Sequence, residues 1–474
     1  MKKLLALVLC VLLVCTVFFG CTNTAPAPES GLPGERDHGE RNPGEIAQGD
    51  VSEEYPPQND PTQDYSARPL RLFVDFYAGF IGAVSYRTDD DMVEDILNMV
   101  AERGGPTDIE VEMMPPQPDA RQTELNRLRV ELMAGGGPDV FLTTSVEPIY
   151  SGQDQALFQF PEQAMRRGFF LKLDEYIENA QFMEWEKLNP VVMDAGRTEE
   201  GQYLLPIVYS FPMAFFLADD VDPYPVTTTW SDIAAGNDPV LNTLMEPQYD
   251  SEGRKDWCGT SYLSLTWKNL ADYDSGELLI SEEDLLQRAK EALAVGEKGT
   301  TELRHFSSTM SRELFSPSSQ WLTFDVERYQ GITPTDPVTM IPLYCDQGGA
   351  VVPVRAYTGI NAATERPEDA FFVTDVLLSE DFQGKSFLFD AWEGRSIPVC
   401  DELTGVMLAP ILEAYLEARS QITSARIATP LDAKINGAML EYQWMLEDGE
   451  ATEEALEKLI SDAYREMKQM LDES

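Results

Sequence analysis

Glu124 to Ser145 reads ELNRLRVELMAGGGPDVFLTTS. Leu125, Leu128, Leu132 and Met133 recur at i, i+3, i+7 and i+8, the apolar stripe of a helix lying on a core. Gly135, Gly136 and Gly137 can take the positive φ of a helix C-cap, and Pro138 forbids continuation. Asp139 then opens Val140-Phe141-Leu142, an apolar run long enough only for a buried strand. A helix, a glycine stop and a buried strand make one αβ unit, and the chain on either side decides what the unit belongs to.

Upstream the pattern repeats. Leu72, Val74 and Phe76 share one face of a strand expected over Leu70 to Tyr77. Val93, Ile96, Leu97 and Val100 form a helical stripe ended by Gly104-Gly105-Pro106, and Ile109, Val111 and Met113 alternate with Asp108, Glu110 and Glu112. With the first stretch these make βαβαβ, whose parallel strands must be joined right-handedly. Ligands of open α/β sheets gather at the carboxyl ends of the strands. Here those ends are Tyr77 to Phe80, Met114 to Gln117 and Thr143 to Ser145. Gly79 and Gly82 lack the spacing of dinucleotide or Walker loops, which argues against a nucleotide.

The N-terminus reads as an address. Lys2 and Lys3 precede an apolar run from Leu4 to Phe19, then Gly20-Cys21. The run is short for a spanning helix and its flanks are lopsided. Thr22 to Ala67 carries seven prolines, five glycines and ten acidic residues. Such a segment cannot bury enough apolar surface to offset its ordering entropy, so it reads as a disordered tether reaching on the order of 40 Å.

Composition excludes some functions. The chain carries 82 acidic against 35 basic residues, a formal charge of −47, and general attraction to nucleic acid or an anionic surface is ruled out on that balance. Besides Cys21 and the signal-segment thiols Cys10 and Cys15, only Cys258, Cys345 and Cys400 remain. Their spacing matches no zinc pattern, and they read as unpaired, partly buried thiols. No metal and no cofactor is expected. There is no HExxH or GxSxG motif, and of the two histidines His38 falls in the tether, leaving His305.

Several stretches, in order, resemble the extracellular solute-binding proteins of ABC importers, the family that includes maltose-binding proteins. Phe169-Phe170-Leu171-Lys172-Leu173-Asp174-Glu175-Tyr176-Ile177, Gly201-Gln202-Tyr203-Leu204-Leu205-Pro206 and Thr229-Trp230-Ser231-Asp232-Ile233 are similar to its segments, as is the GGGPDV stretch itself. Thr358 to Ser379, TGINAATERPEDAFFVTDVLLS, with Gln383 beyond it, resembles the segment with which these proteins return to their first lobe. Gly394-Arg395-Ser396-Ile397-Pro398-Val399 resembles the turn before their C-terminal helices. Gly20-Cys21 resembles a lipobox, with Cys21 as the lipidated residue.

The resemblance implies a periplasmic-binding-protein-like α/β fold of two lobes joined by a multi-crossing hinge, with a helical C-terminal region. It implies residues 1–20 as signal peptide, 21–67 as lipidated cysteine and tether, 68–145 as the first part of lobe 1, 146–345 as the first part of lobe 2, 346–392 as the return to lobe 1, and 393–474 as helices completing lobe 2. The last of these helices is marked by Leu456, Leu459, Ile460, Ala463, Met467, Met470 and Leu471, with Thr452 as N-cap. The function implied is a monomeric, membrane-held, extracellular or periplasmic receptor. It would pass a carbohydrate to ABC permease subunits. Same-fold receptors for polyamines or peptides, a surface sensor and an exported glycosidase stand as the other readings.

A sugar offers C–H faces to aromatic rings and hydroxyls that are costly to desolvate unpaired. The ligand-binding candidates are accordingly Tyr262 and Trp267 with Trp257 in the Trp257–Trp267 stretch, Tyr209 after the Leu204 strand, and Trp321, Tyr344 and Trp392 near the return. Asp75 and Arg395 are the polar candidates. Trp230, matching a helix start, reads as structural.

Overall fold

The computed structural model describes residues 68–75, 89–146, 156–249, 255–298, 303–309, 332–333, 336–384, 397–400 and 409–474. The signal segment, Cys21, the tether and the candidates Trp321, Trp392 and Arg395 lie outside these residues. The side chains of Trp257 and Cys258 do too.

The principal strands are β1 (Leu70–Val74), β2 (Ile109–Met113), β3 (Val140–Thr144), β4 (Leu204–Tyr209), β5 (Pro212–Leu217), β6 (His305–Thr309), β7 (Val338–Pro342), β8 (Ala350–Ile360), β9 (Ile397–Pro398) and β10 (Ile422–Ile427). The principal helices are α1 (Asp89–Glu102), α2 (Pro118–Met133), α3 (Glu282–Lys298), α4 (Pro367–Leu377), α5 (Ala409–Arg419), α6 (Pro430–Asp448) and α7 (Glu453–Glu473). The first sheet has the order β9-β4-β8-β3-β1-β2, with β10 also on β8. Strand β1 pairs in parallel with both β2 and β3, as βαβαβ requires. The return strand β8 runs antiparallel to β3 and β4 and parallel to β10. A second, antiparallel sheet has the order β6-β5-β7.

Two clusters of buried apolar side chains follow the two sheets. The first holds Leu72, Ile96, Leu128, Phe141, Val354 and Val376. The second holds Phe216, Trp230, Leu263, Ala289, Ile435 and Met467. Strand β5 has period-2 alternation and lies between them, so Met213 and Phe215 face the first while Ala214 and Phe216 face the second. Most buried apolar side chains between Leu157 and Tyr209, a stretch the sequence groups with the second lobe, belong to the first cluster, while Phe160 belongs to the second. The chain passes from the first sheet to the second at Ser210–Phe211 and back at Leu343–Gly349, and leaves again at Ala428–Thr429 for α6.

The first and last of these passages are tied to the return strand and to the end of β3. Ser210 N–H donates to Pro353 O at 3.0 Å, Ser145 N–H to Arg355 O at 2.9 Å, and Val146 N–H to Ala428 O at 3.4 Å. A few residues side by side between two packed bodies is the construction of a hinge.

The GGGPD stop is tied to the return segment. Gly135 and Gly137 have φ of 81° and 103°. Asn361 donates through Nδ2 to Gly136 O and Pro138 O, both at 2.9 Å, and its N–H reaches Asp139 O. The buried Asp139 carboxylate accepts from Arg68, the Arg71 N–H and Thr364 Oγ1 at 2.6, 2.9 and 2.7 Å. The two sequence stretches that carry the family resemblance therefore meet, and what they supply is a staple at the amino end of β3.

The C-terminal region is helical as expected. Thr452 Oγ1 accepts from Ala455 N–H at 3.1 Å, and Leu456, Ile460, Ala463, Met467 and Leu471 are the buried face of α7. Among the described residues no helix is long and apolar enough to cross a membrane.

Candidate functional site

The carboxyl edge of the first sheet carries a buried polar group. Asp75 follows β1 and is 1 % exposed. It is paired in bidentate fashion with Arg121 of α2, Nη1 to Oδ1 at 2.9 Å and Nη2 to Oδ2 at 2.5 Å. Thr144 Oγ1 donates to Asp75 Oδ2 at 3.3 Å. Val74 pairs with Leu142, so the register carries Asp75 level with Thr143, and Thr143 is the partner of Tyr357. Burial, with the Asp75 charge second, holds the Tyr357 phenol well above its ordinary range. Among the described residues neither Tyr357 Oη nor Thr143 Oγ1 has a hydrogen-bond partner.

Arg121 was not among the sequence candidates, although a signal for it existed. It stands four residues before Leu125 on the same stripe, so a cation there has to be buried and paired. Met133, assigned to that stripe, is instead 81 % exposed.

A separate cavity of about 710 Å³, lined by none of Asp75, Arg121, Thr144 or Tyr357, is ample for a small ligand. One wall comes from α2 and the first core (Arg129, Leu132, Met133, Phe158, Phe169). The other comes from the second body (Pro430, Ala433, Lys434, Met470, Ser474), with Val146 at the carboxyl end of β3 between them. Arg129 is fixed by donating to Leu157 O and Ala156 O at 3.1 and 2.7 Å. Lys434 Nζ sits 2.6 Å from Glu466. The lining is mostly apolar and aromatic with a few cationic tips, a surface for a ligand with apolar faces and polar edges. Phe158, Phe160 and Phe169 lie in one aromatic- and arginine-rich run, FQFPEQAMRRGFF, from Phe158 to Phe170, and that density was the legible signal for this wall.

None of the described sequence candidates lines this cavity. Tyr262 and Trp267 are buried in the second core. The segment that carries them, Gly259–Thr266, is held down by α6 and its approach. Ser264 N–H donates to Asn436 Oδ1 at 2.9 Å, and Arg426 donates to the Ser264, Trp267 and Lys268 carbonyls. The Arg288 guanidinium lies 4.0 Å over the Trp267 ring and 5.4 Å from that of Trp230. Burial lowers the Arg288 pKa below its ordinary value.

Tyr209 is fully buried, its hydroxyl 2.6 Å from that of Tyr415 on α5. Tyr344 is fully buried in the second core, and burial raises its pKa. Cys345 beside it is a buried free thiol whose pKa burial also raises. Trp230 is structural as read. Its Nε1 donates to Glu291 at 2.9 Å, behind a capping box of Thr229 and Asp232.

No family model and no curated protein matches the sequence. Solved structures do. An extracellular solute-binding protein family 1 from Alicyclobacillus acidocaldarius is 14 % identical, with 85 % of this chain and 99 % of that one covered and a TM-score of 0.48. A periplasmic oligogalacturonide binding protein from Yersinia enterocolitica is 13 % identical over the same shares, TM-score 0.49. A de novo designed cysteine esterase is 14 % identical over 85 % of this chain and 98 % of its own, TM-score 0.51. Likeness at these identities bears on fold alone.

The fold is periplasmic-binding-protein-like. Two sheets, a return strand, three adjacent passages and C-terminal helices packed on the second sheet are its elements here. The cavity is bounded by α2 on one side and by α6 and α7 on the other.

Proposed function

We propose that this protein is a lipid-anchored extracellular substrate-binding protein. It captures a carbohydrate in the cavity between its two bodies and delivers it to ABC permease subunits. The observation that carries the reading is the 710 Å³ cavity with walls from both cores, set beside three adjacent chain passages. A solute touching both walls favours whichever arrangement brings them together, by its differential affinity for the two states. Phe158 and Phe169 suit the C–H faces of sugar rings, and Arg129, Arg167 and Lys434 suit hydroxyl oxygens. The work is binding, without cofactor and as a monomer. Cys21 provides the anchor and residues 22–67 the reach from the membrane surface.

The test is a thermal-shift panel of oligosaccharides, polyamines and short peptides on the mature chain. A ligand at a hundred times its dissociation constant adds about 2.7 kcal/mol of stability. The expected result is a shift with an oligosaccharide that Phe169→Ala abolishes. A shift with polyamines alone overturns the sugar assignment. A sugar shift lost in Tyr262→Ala and kept in Phe169→Ala moves the site into the second body.

A further inference from the structure

The Pro161–Arg166 helix stands among residues of the first core, with Phe158 before it, Met165 within it and Phe170 after it. It nevertheless grips the second body at four points. Phe160, at its N-cap, is buried in the second core with its ring 6.1 Å from that of Tyr273. Arg166 Nη1 lies 2.5 Å from Asp274 Oδ1. Gln163 Nε2 donates to Ser474 Oγ at 2.8 Å, and Arg167 Nη2 donates to the Ser474 backbone oxygen at 2.5 Å. Arg166 is oriented for its partner by Glu162, one turn back at 3.0 Å. Gln163, Ala164 and Arg167 line the large cavity, whereas Arg166 does not.

These contacts join the two bodies where, among the described residues, no chain passage does. Each polar contact is partly exposed and is worth little alone. Three polar contacts and one ring contact, on one short helix and its two caps, act together, and each of them breaks if the second body moves away from the cavity wall.

We propose that the Pro161–Arg166 helix is a latch that sets the resting separation of the two bodies, with Arg166 as a positioning residue acting through Asp274. The proposal rests on the reading that the cavity between the bodies is the binding site. Its test uses no ligand, so an empty ligand panel leaves it standing and a failed latch leaves the panel standing.

The experiment is hydrogen-exchange mass spectrometry on the full chain. Arg166→Asp places like charges at the contact. It is expected to accelerate exchange about two- to fivefold in peptides from both sides, residues 158–170 and residues 270–278 together with the end of α7. Asp274→Arg added to the same chain rebuilds the pair with its charges exchanged and returns both regions to the wild-type rate. Arg166→Gln and Asp274→Asn keep the side-chain shapes and give the same two-sided pattern more weakly, which covers failure of the charge reversal to fold. Acceleration confined to residues 158–170, or no recovery in the exchanged pair, overturns the latch.

Discussion

Asp75 and Arg121 are 1 % exposed each and are joined by two hydrogen bonds. Their attraction is worth most where their desolvation costs most, so removing one partner is far worse than removing both. Arg121→Met is expected to destabilise by about 3–5 kcal/mol, and Asp75→Leu added to it to recover most of that, read by chemical denaturation. A loss in the double variant equal to that in the single would mean that the pair has other essential partners. Tyr344 poses the opposite case, since its buried hydroxyl has no hydrogen-bond partner among the described residues. Tyr344→Phe is expected to be neutral or to stabilise by about 1 kcal/mol. Burial raises the folded pKa of this phenol above its unfolded value of 10.0, so its contribution is whole below about pH 10 and is lost as pH rises through the folded value. The Phe variant should then unfold less readily in alkali than wild type.

At the scale of elements, the organising unit was legible because its signals are local. Helix periodicity, a glycine stop and an apolar run each act within a few residues, and α2, the glycine turn and β3 formed where the sequence placed them. The stripe was misjudged at one residue. Met133 follows Leu132 by about 100° around the helix, enough to turn it from the core. The staple beneath the turn was not legible, because Asn361 and Gly136 are far apart in sequence and meet only through β8. Gly137→Ala is expected to cost about 2 kcal/mol. It forces a side chain into a positive φ, and the new Cβ would stand 2.8 Å from Leu132 Cδ2. Asn361→Ala, which strips donors from two carbonyl oxygens, should cost about 1–3 kcal/mol. Equal stability of both variants with wild type would remove the staple from the account of this fold.

Over the whole molecule, charge opposes compactness. At −47 the chain repels itself, and acid relieves that by protonating carboxylates. Paired carboxylates work the other way. The Arg71 hydrogen bond, with the charges of Arg71 and Arg127, holds the Glu131 carboxyl below its ordinary value of 4.5. Such a group contributes stability above that pH and loses it as pH falls through the folded value. The difference between wild type and Arg71→Leu isolates the pair from the general repulsion. That difference should be constant above about pH 5 and shrink below pH 4.5, with a size under about 1 kcal/mol for so exposed a contact. A difference that grows on acidification would reverse the assignment.

The sequence by itself determined the parallel βαβαβ opening and the buried face of the last helix, which are written in short-range periodicity, and burial of an apolar stripe leaves little choice of partner surface. The return strand was implied only by the resemblance of Thr358–Ser379 to the family's segment. Only the tertiary structure decided which side chains meet across the bodies. The rings of Tyr262 and Trp267 look the same in sequence whether they face a solute or lie under Arg288 and α6. Phe158, Phe169, Lys434 and Met470 line one cavity because strands and helices far apart in the chain are brought to one place. A side chain's partner across such distances depends on the packing of every element between, and that information is not held in any short stretch of residues.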